Sequence, residues 1–333
     1  MSESGLPRLV TARAPTRIDL GGGWTDVPPY CDEQGGYVCN VAIDRYAVAT
    51  ARASETYRER GAAAAPSPLV EAALRRTRTS GVAVDIESRF PVGAGLGGSS
   101  AASAAVFGAL ARWHGQPMDL RAIAEEGRRV EVEEMGIAGG RQDHYAATFG
   151  GALGLTFTDT VAVRRLTVAP QTASEFARRG VLVYTGESRI SGDTIRAVLD
   201  AYRAGERRTR EALAAMKMLA RDMAVTLESG DLESLGALIG EHWLHQRSLH
   251  PAIPTPRIDE IVFRAQGAGA VGWKATGASG GGCVFVLAGP DNVDAVRESV
   301  ASLGEILPFA LDASGLTASD VPGQAAGARS LTA

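Results

Sequence analysis

Residues 91–106 read Pro-Val-Gly-Ala-Gly-Leu-Gly-Gly-Ser-Ser-Ala-Ala-Ser-Ala-Ala-Val: four glycines, two serines, then an alanine-rich stretch. No other segment constrains the fold as tightly. Glycine lets the backbone turn sharply and approach a ligand closely. The alanine run that follows opens a helix, whose first N–H groups are free and carry a partial positive charge. A glycine turn feeding a helix start is a seat for phosphate. It is not a Walker P-loop, because no Lys follows the glycines as GK[ST] requires. Nor does it give GxGxxG in a βαβ setting with an acidic residue about 20 positions on.

The rest of the chain suits a globular protein with a normal core better than a nucleic-acid or membrane protein. Its 333 residues are enough for two domains or one large one, and 45% hydrophobic with 22% charged residues allows a normal core. The net charge of −4, with both signs mixed along the chain, argues against a nucleic-acid partner. No apolar stretch reaches the ~18 residues of a membrane helix. No secretory h-region is visible near the N-terminus. Three cysteines, Cys31, Cys39 and Cys283, form no CxxC, and an odd count suits a reducing cytoplasm. A cytoplasmic location, as a monomer or homodimer, is therefore expected.

Strand-like runs occur at 8–20, 36–53 and 82–90, where Val82, Val84 and Ile86 alternate. Residues 54–67 read as a surface loop and 68–79 as a short helix. After the glycine loop, helices are expected over 99–113 and, with Asp119 as N-cap, over 120–135. Further strands are expected at 152–157, 161–168 and 181–185. Long helical stretches follow at 193–228, 231–249 and 257–267, then a strand at 283–288. There is no tandem repeat. Strands and helices without regular βαβ alternation favour an α+β fold. The domains are expected at 1–165 and 166–312, with 313–333 a loose tail of small polar residues.

Three further constellations carry chemical groups. In Arg13-Ala14-Pro15-Thr16-Arg17-Ile18-Asp19-Leu20-Gly21-Gly22-Gly23-Trp24-Thr25-Asp26 a strand ends in a glycine turn that presents a carboxylate. An ordinary turn-capping Asp accounts for Asp26 as readily as a ligand does. Before Gly139-Gly140-Arg141-Gln142-Asp143-His144-Tyr145, the helix places Ala124, Gly127 and Glu131 on one line. Glu131 either points past those small residues into a tight space or belongs to a solvated face with Glu133 and Glu134. In Lys274-Ala275-Thr276-Gly277-Ala278-Ser279-Gly280-Gly281-Gly282-Cys283 a second glycine loop feeds a strand, and a flexible hairpin is the alternative.

Taken in order, these elements resemble the GHMP kinase family (galactokinase, homoserine kinase, mevalonate kinase, phosphomevalonate kinase). The central PxGxGLGxSSA pattern matches at Pro91, Gly93, Gly95, Leu96, Gly97, Ser99, Ser100 and Ala101, and the three motifs cover about residues 10–290. The resemblance implies an N-terminal ribosomal-protein-S5-like domain and a C-terminal ferredoxin-like domain, with the active site between them. It implies that ATP lies on Pro91, Gly93, Gly95, Leu96, Gly97, Gly98, Ser99, Ser100 and Ala101. Mg²⁺ would be held by a loop serine, Ser100 or Ser99, and by Glu131, which precedes Asp143 by 12 residues. Asp143 would accept or orient the acceptor hydroxyl. Arg17 would neutralise charge on the transferring phosphoryl and favour the carboxylate form of Asp143. His144 stands where the family usually has Gln, and either bonds the sugar or packs.

The Gly23-Trp24-Thr25-Asp26-Val27-Pro28-Pro29-Tyr30 stretch resembles both D-glycero-D-manno-heptose 7-phosphate kinases and L-fucokinases. Gly23, Trp24, Thr25 and Asp26 would then face the sugar, with Gly280 of the last glycine loop. Both relatives act on the anomeric hydroxyl. A heptose 7-phosphate or an octose 8-phosphate needs cations at the far end of its pocket, and Arg189, Arg247 and Lys274 are the candidates. Some members of this fold are sensors that bind without turnover. Arg17, Asp143, Glu131 and both serines are present here, which favours an enzyme.

Overall fold

The computed structural model describes residues 8–54, 67–136, 139–187 and 192–321. Its strands are β1 (Leu9–Gly21), β2 (Gly36–Ala53), β3 (Val82–Ser88), β4 (Ala152–Phe157), β5 (Val161–Arg165), β6 (Gly180–Tyr184), β7 (Ala270–Ala275), β8 (Cys283–Ala288), β9 (Glu305–Leu307) and β10 (Thr317–Asp320). Its helices are α1 (Tyr30–Gln34), α2 (Pro68–Arg76), α3 (Gly98–Trp113), α4 (Leu120–Arg129), α5 (Gln142–Phe149), α6 (Pro170–Arg179), α7 (Gly192–Arg203), α8 (Arg207–Ser229), α9 (Leu232–Ser248), α10 (Pro256–Gly267) and α11 (Val293–Val300).

Two antiparallel sheets organise these elements into an α+β fold. In the first, β10, β1, β2, β4 and β5 lie side by side. The 18-residue β2 runs long enough to pair β4 along its first half and β3 along its second. The second sheet has the order β7-β8-β6-β9. Small residues set the spacing under α3. Ala101, Ala104, Ala105 and Ala109 bury against Ala12, Ala14, Ala47, Ala49 and Ala51, so the helix lies close to the sheet. A second apolar cluster joins the two halves, with Ile18, Leu20 and Ile43 of the first sheet packed with Met223 of α8 and Phe285 and Leu287 of the second.

Local signals explain most elements. Ser67 and Asp119 cap α2 and α4 with side-chain hydrogen bonds, and Pro68, Pro170 and Pro256 occupy first turns. Several expectations are revised. The helical stretch expected over 193–228 breaks at Gly205, at φ 78°, between α7 and α8. Beyond Arg129 the α4 path becomes a π-helical turn over Val130–Glu134. The loose tail expected from 313 holds an ordered strand instead, since β10 pairs with β1 from Val10↔Asp320 to Arg13↔Thr317. Leu316 anchors it: a Cβ on Gly108 of α3 would lie 2.7 Å from its Cδ1. Most of the loop expected at 54–67 lies outside the described residues.

Leu316 is 4% exposed. Leu316→Ala is expected to destabilise the protein by roughly 2–4 kcal/mol, read as a lower denaturation midpoint. An unchanged midpoint would mean that β10 adds nothing to the fold.

Candidate active site

β1 carries Arg17 into the cleft, where its guanidinium meets Asp143 at the start of α5. Nε and one terminal nitrogen donate to the two carboxylate oxygens at 2.8 and 2.9 Å. The other terminal nitrogen donates to the Gly95 carbonyl at 2.7 Å, and the Arg17 backbone N–H donates to the Leu96 carbonyl. Arg17 is therefore bound to both the glycine loop and the carboxylate. Gly93, Gly95 and Gly97 all have φ near +70°. Gly97 must also lack a side chain, because a Cβ there would lie 3.0 Å from the Asp143 carboxyl carbon. The first N–H groups of α3, at Gly98, Ser99 and Ser100, have no intrahelical carbonyl to meet. The loop, Arg17 and Asp143 border one cleft of about 510 Å³, within the range of small-molecule sites.

Acidic side chains also line the cleft. Asp19, Asp26 and Asp143 all line the cleft, with Gly23 and Trp24. Asp26 is buried and accepts the Gln142 N–H at 3.0 Å. Burial, and then the nearby charges of Asp143 and Asp19, push its carboxyl up to about 6 against the hydrogen bond from Gln142. Gly140 packs directly on this carboxylate, where a Cβ would clash outright. Gly23 does the same for Asp19, whose Oδ2 lies 2.5 Å from the position of a Cβ. Trp24 holds a positive φ of 76°, rare for a non-glycine residue and frequent where strain serves a site. Asp19 Oδ1 and the Trp24 indole N–H are buried without a hydrogen-bond partner in the described structure. Asp19 was not singled out by its sequence context. Its signal lay only in being two residues along β1 from Arg17, on the same face.

At the other end, Ser99 Oγ donates to Glu131 Oε1 at 3.1 Å, and His144 Nε2 lies 2.7 Å from Glu131 Oε2. Burial raises the Glu131 carboxyl, but the hydrogen bonds from His144 and Ser99 outweigh it and hold the group below its ordinary value. Glu131 is thus directed into the cleft and does not belong to a solvated face. Ser100 Oγ lies 3.4 Å from His144 Nε2. One carboxylate and a neighbouring hydroxyl are hard oxygen donors of the kind that hold Mg²⁺ when phosphate and water complete its shell. Of the two serines, Ser99 is the one that touches Glu131.

Several expected sugar-side residues lie elsewhere. Lys274 is fully buried and pairs with Asp19 at 3.0 Å, so it cannot clamp a substrate phosphate. Arg247 pairs with Asp259 at 2.9 Å and lies over Trp243, away from the cleft. Arg189 lies outside the described residues. Thr25 is buried, bonding the Gly22 and Tyr37 carbonyls to hold the turn. Of the residues expected on the nucleotide, Ala101 instead sits on the buried face of α3. The Gly280 N–H donates to the Ile253 carbonyl, and it is Gly277 and Ala278 that reach the cleft. The last glycine loop mainly braces the first: the Cys283 N–H donates to the Ala94 carbonyl, and a Cβ on Gly95 would lie 2.9 Å from the Thr276 carbonyl oxygen.

A glycine loop at a helix start, a fixed Arg–Asp pair and an acidic lining in one cleft are the parts a phosphotransferase needs. Models of the GHMP kinases N terminal domain and of the GHMP kinases C terminal match residues 65–151 and 223–306. The chain belongs to the GHMP kinase family and is an ATP-dependent kinase. A D-glycero-alpha-D-manno-heptose 7-phosphate kinase of Campylobacter jejuni is 29% identical over 85% of this chain and 90% of its own length. The L-fucokinase/L-fucose-1-P guanylyltransferase of Bacteroides fragilis is 26% identical over 84% of this chain, which spans only 35% of that longer protein. The crystal structure of a D-glycero-D-manno-heptose 1-phosphate kinase from Bacteroides thetaiotaomicron has the same fold. Its TM-score is 0.74 at 24% identity, covering 94% of this chain and 99% of that one.

The raised carboxyl of Asp26 gives a stability test. A carboxyl whose folded pKa lies above its unfolded value holds its proton more tightly in the fold. Its ionisation therefore destabilises the fold as pH rises from about 4 through about 6. Asp26→Asn should melt several degrees above wild type at pH 8, and the gap should close below pH 4, read by thermal scans across pH. A gap independent of pH would show that Asp26 carries no such burden.

Proposed function

We propose that the protein is a sugar 1-kinase. It transfers the γ-phosphoryl of ATP to the anomeric hydroxyl of a heptose 7-phosphate or a related higher-sugar phosphate such as an octose 8-phosphate. The product is a bisphosphate, a precursor suited to nucleotide-sugar synthesis. The carrying observation is Asp143, fixed by Arg17 against the glycine loop, beside a wall that also bears Asp19 and Asp26. Carboxylates accept hydrogen bonds from hydroxyls, so this wall suits a polyol. The similarity to a heptose 7-phosphate kinase along 90% of its length supports the choice of sugar.

The phosphates lie on the glycine loop against the free N–H groups of α3. Ser99 and Glu131 would hold Mg²⁺, which would offset phosphate charge. Asp143 receives the proton of the anomeric hydroxyl as its oxygen forms a bond to the γ-phosphorus. The bond from that phosphorus to the β,γ-bridging oxygen breaks, and ADP leaves. Arg17 keeps the Asp143 oxygens in place and puts positive charge beside the transferring group. Little covalent chemistry is required of the protein, because phosphoryl transfer is governed by positioning and charge.

One observation favours a second reading, an L-fucokinase acting on a free sugar. Lys274 and Arg247, two cations expected at a substrate phosphate, are held by Asp19 and Asp259. An ADP-release screen with heptose 7-phosphate, octose 8-phosphate, L-fucose and galactose decides between them. A heptose or octose phosphate should give the highest kcat/KM, with phosphate added at C1 by NMR. A preference for L-fucose would replace the first reading with the second. Asp143→Asn is expected to lower kcat by at least ~10²-fold while nucleotide affinity, measured by calorimetry, is retained. Near-wild-type turnover would remove Asp143 from the proton-accepting role.

A further inference from the structure

We propose that His144 is a positioning residue for Glu131, aiming its carboxylate at the divalent cation that accompanies the nucleotide. The inference rests on the reading of Glu131 as the cation's protein ligand. His144 follows Asp143 on α5 but is turned away from solvent, with its side chain 2% exposed. Nε2 lies 2.7 Å from Glu131 Oε2. Glu131 is an acceptor there, so the imidazole carries its proton on Nε2 and donates it. The other carboxylate oxygen, Oε1, faces Ser99 at 3.1 Å. Each oxygen thus has a different task. One is held from behind by imidazole, and the other is presented beside the hydroxyl at the edge of the phosphate seat.

The surrounding structure is shaped for this contact. Glu131 lies on a π-helical turn, where the backbone departs from the α path, and π-turns recur at functional sites. Gly127 precedes Glu131 on the same helix face. A Cβ at 127 would lie 2.6 Å from Ser103 Oγ and 3.0 Å from His144 Nδ1. A side chain at 127 would therefore crowd both Ser103 and the imidazole. Packing alone would be met by any flat apolar group in that space. It would not require a nitrogen at hydrogen-bond distance from the carboxylate. Hydrogen-bond partners that orient a metal-ligating side chain are commonly worth 10–100-fold in metal affinity.

The test compares His144→Met, which fills the space without a donor, with His144→Gln, whose amide N–H can replace Nε2–H. Calorimetry gives the Kd of a non-hydrolysable ATP analogue in Mg²⁺ and in EDTA. The ratio of the two is the tightening due to the cation. For His144→Met that ratio should fall about 10-fold or more from the wild-type value, with the EDTA Kd unchanged and His144→Gln restoring most of the loss. Equal ratios for Met, Gln and wild type overturn the proposal, as does a loss of affinity of the same size in Mg²⁺ and EDTA. If Met is not accommodated, His144→Ala is read in the same way. Glu131→Gln is the control. If it leaves the ratio intact, the cation reading of Glu131 has failed. If it abolishes the ratio while His144→Met does not, only the positioning role has failed.

Discussion

Arg17 satisfies its guanidinium with the two carboxylate oxygens of one residue and a main-chain carbonyl of another, so that three segments meet. Asp143 comes from α5 and the Gly95 carbonyl from the phosphate loop, while Arg17 itself comes from β1. A guanidinium that is 3% exposed is costly unless it is paired. The fold therefore cannot let these three segments drift apart without leaving a buried charge unsatisfied. The glycine loop inherits its geometry from this demand. Gly95 offers its carbonyl to Arg17, and Gly97 leaves room for Asp143. The loop's glycines serve the protein's own ion pair as well as the proposed phosphate.

A second buried pair supports the first from below. Lys274 and Asp19 connect β7 to β1 across 255 residues of sequence. Burial lowers the pKa of Lys274, and the charge and hydrogen bond of Asp19 counter that effect. His242 lies in the same region. Burial and the charge of Lys274 hold it neutral, and its Nε2 accepts the Gly22 N–H at 2.8 Å. Together the two contacts tie Asp19 to β7 of the second sheet and the glycine turn at 21–23 to α9. This is why a lysine chosen for its charge does not serve a substrate: its charge is already used in joining the halves of the molecule.

Legibility from sequence divides along a physical line. The glycine loop, the Asp119 cap and the strands β1 to β6 and β8 are readable because they depend on backbone conformation, and only certain residues permit it. The buried partners are not. Nothing near Lys274 in sequence announces Asp19, and nothing near Arg247 announces Asp259. β10 escaped notice because Thr317–Asp320 is a short polar edge strand whose only signal is the edge it covers. His144 was open between bonding and packing because its partner, Glu131, lies on a separate element beyond a glycine-rich connection. The π-turn that aims Glu131 has no residue signature of its own.

The same line separates the two ends of the cleft. The end proposed to hold the nucleotide is made largely of main-chain N–H groups, with one hydroxyl and one carboxylate added, so its signal in sequence is glycines and a helix start. The acceptor end is made of side chains brought together from β1, its following turn and α5. Asp19 goes unmarked in sequence and Asp26 reads equally as a turn cap, and their meaning lies in lining one cleft with Trp24 and Asp143. A phosphate seat can therefore be inherited unchanged while the acceptor wall is altered one side chain at a time. That is the physical basis on which one family can keep its donor and vary its alcohol.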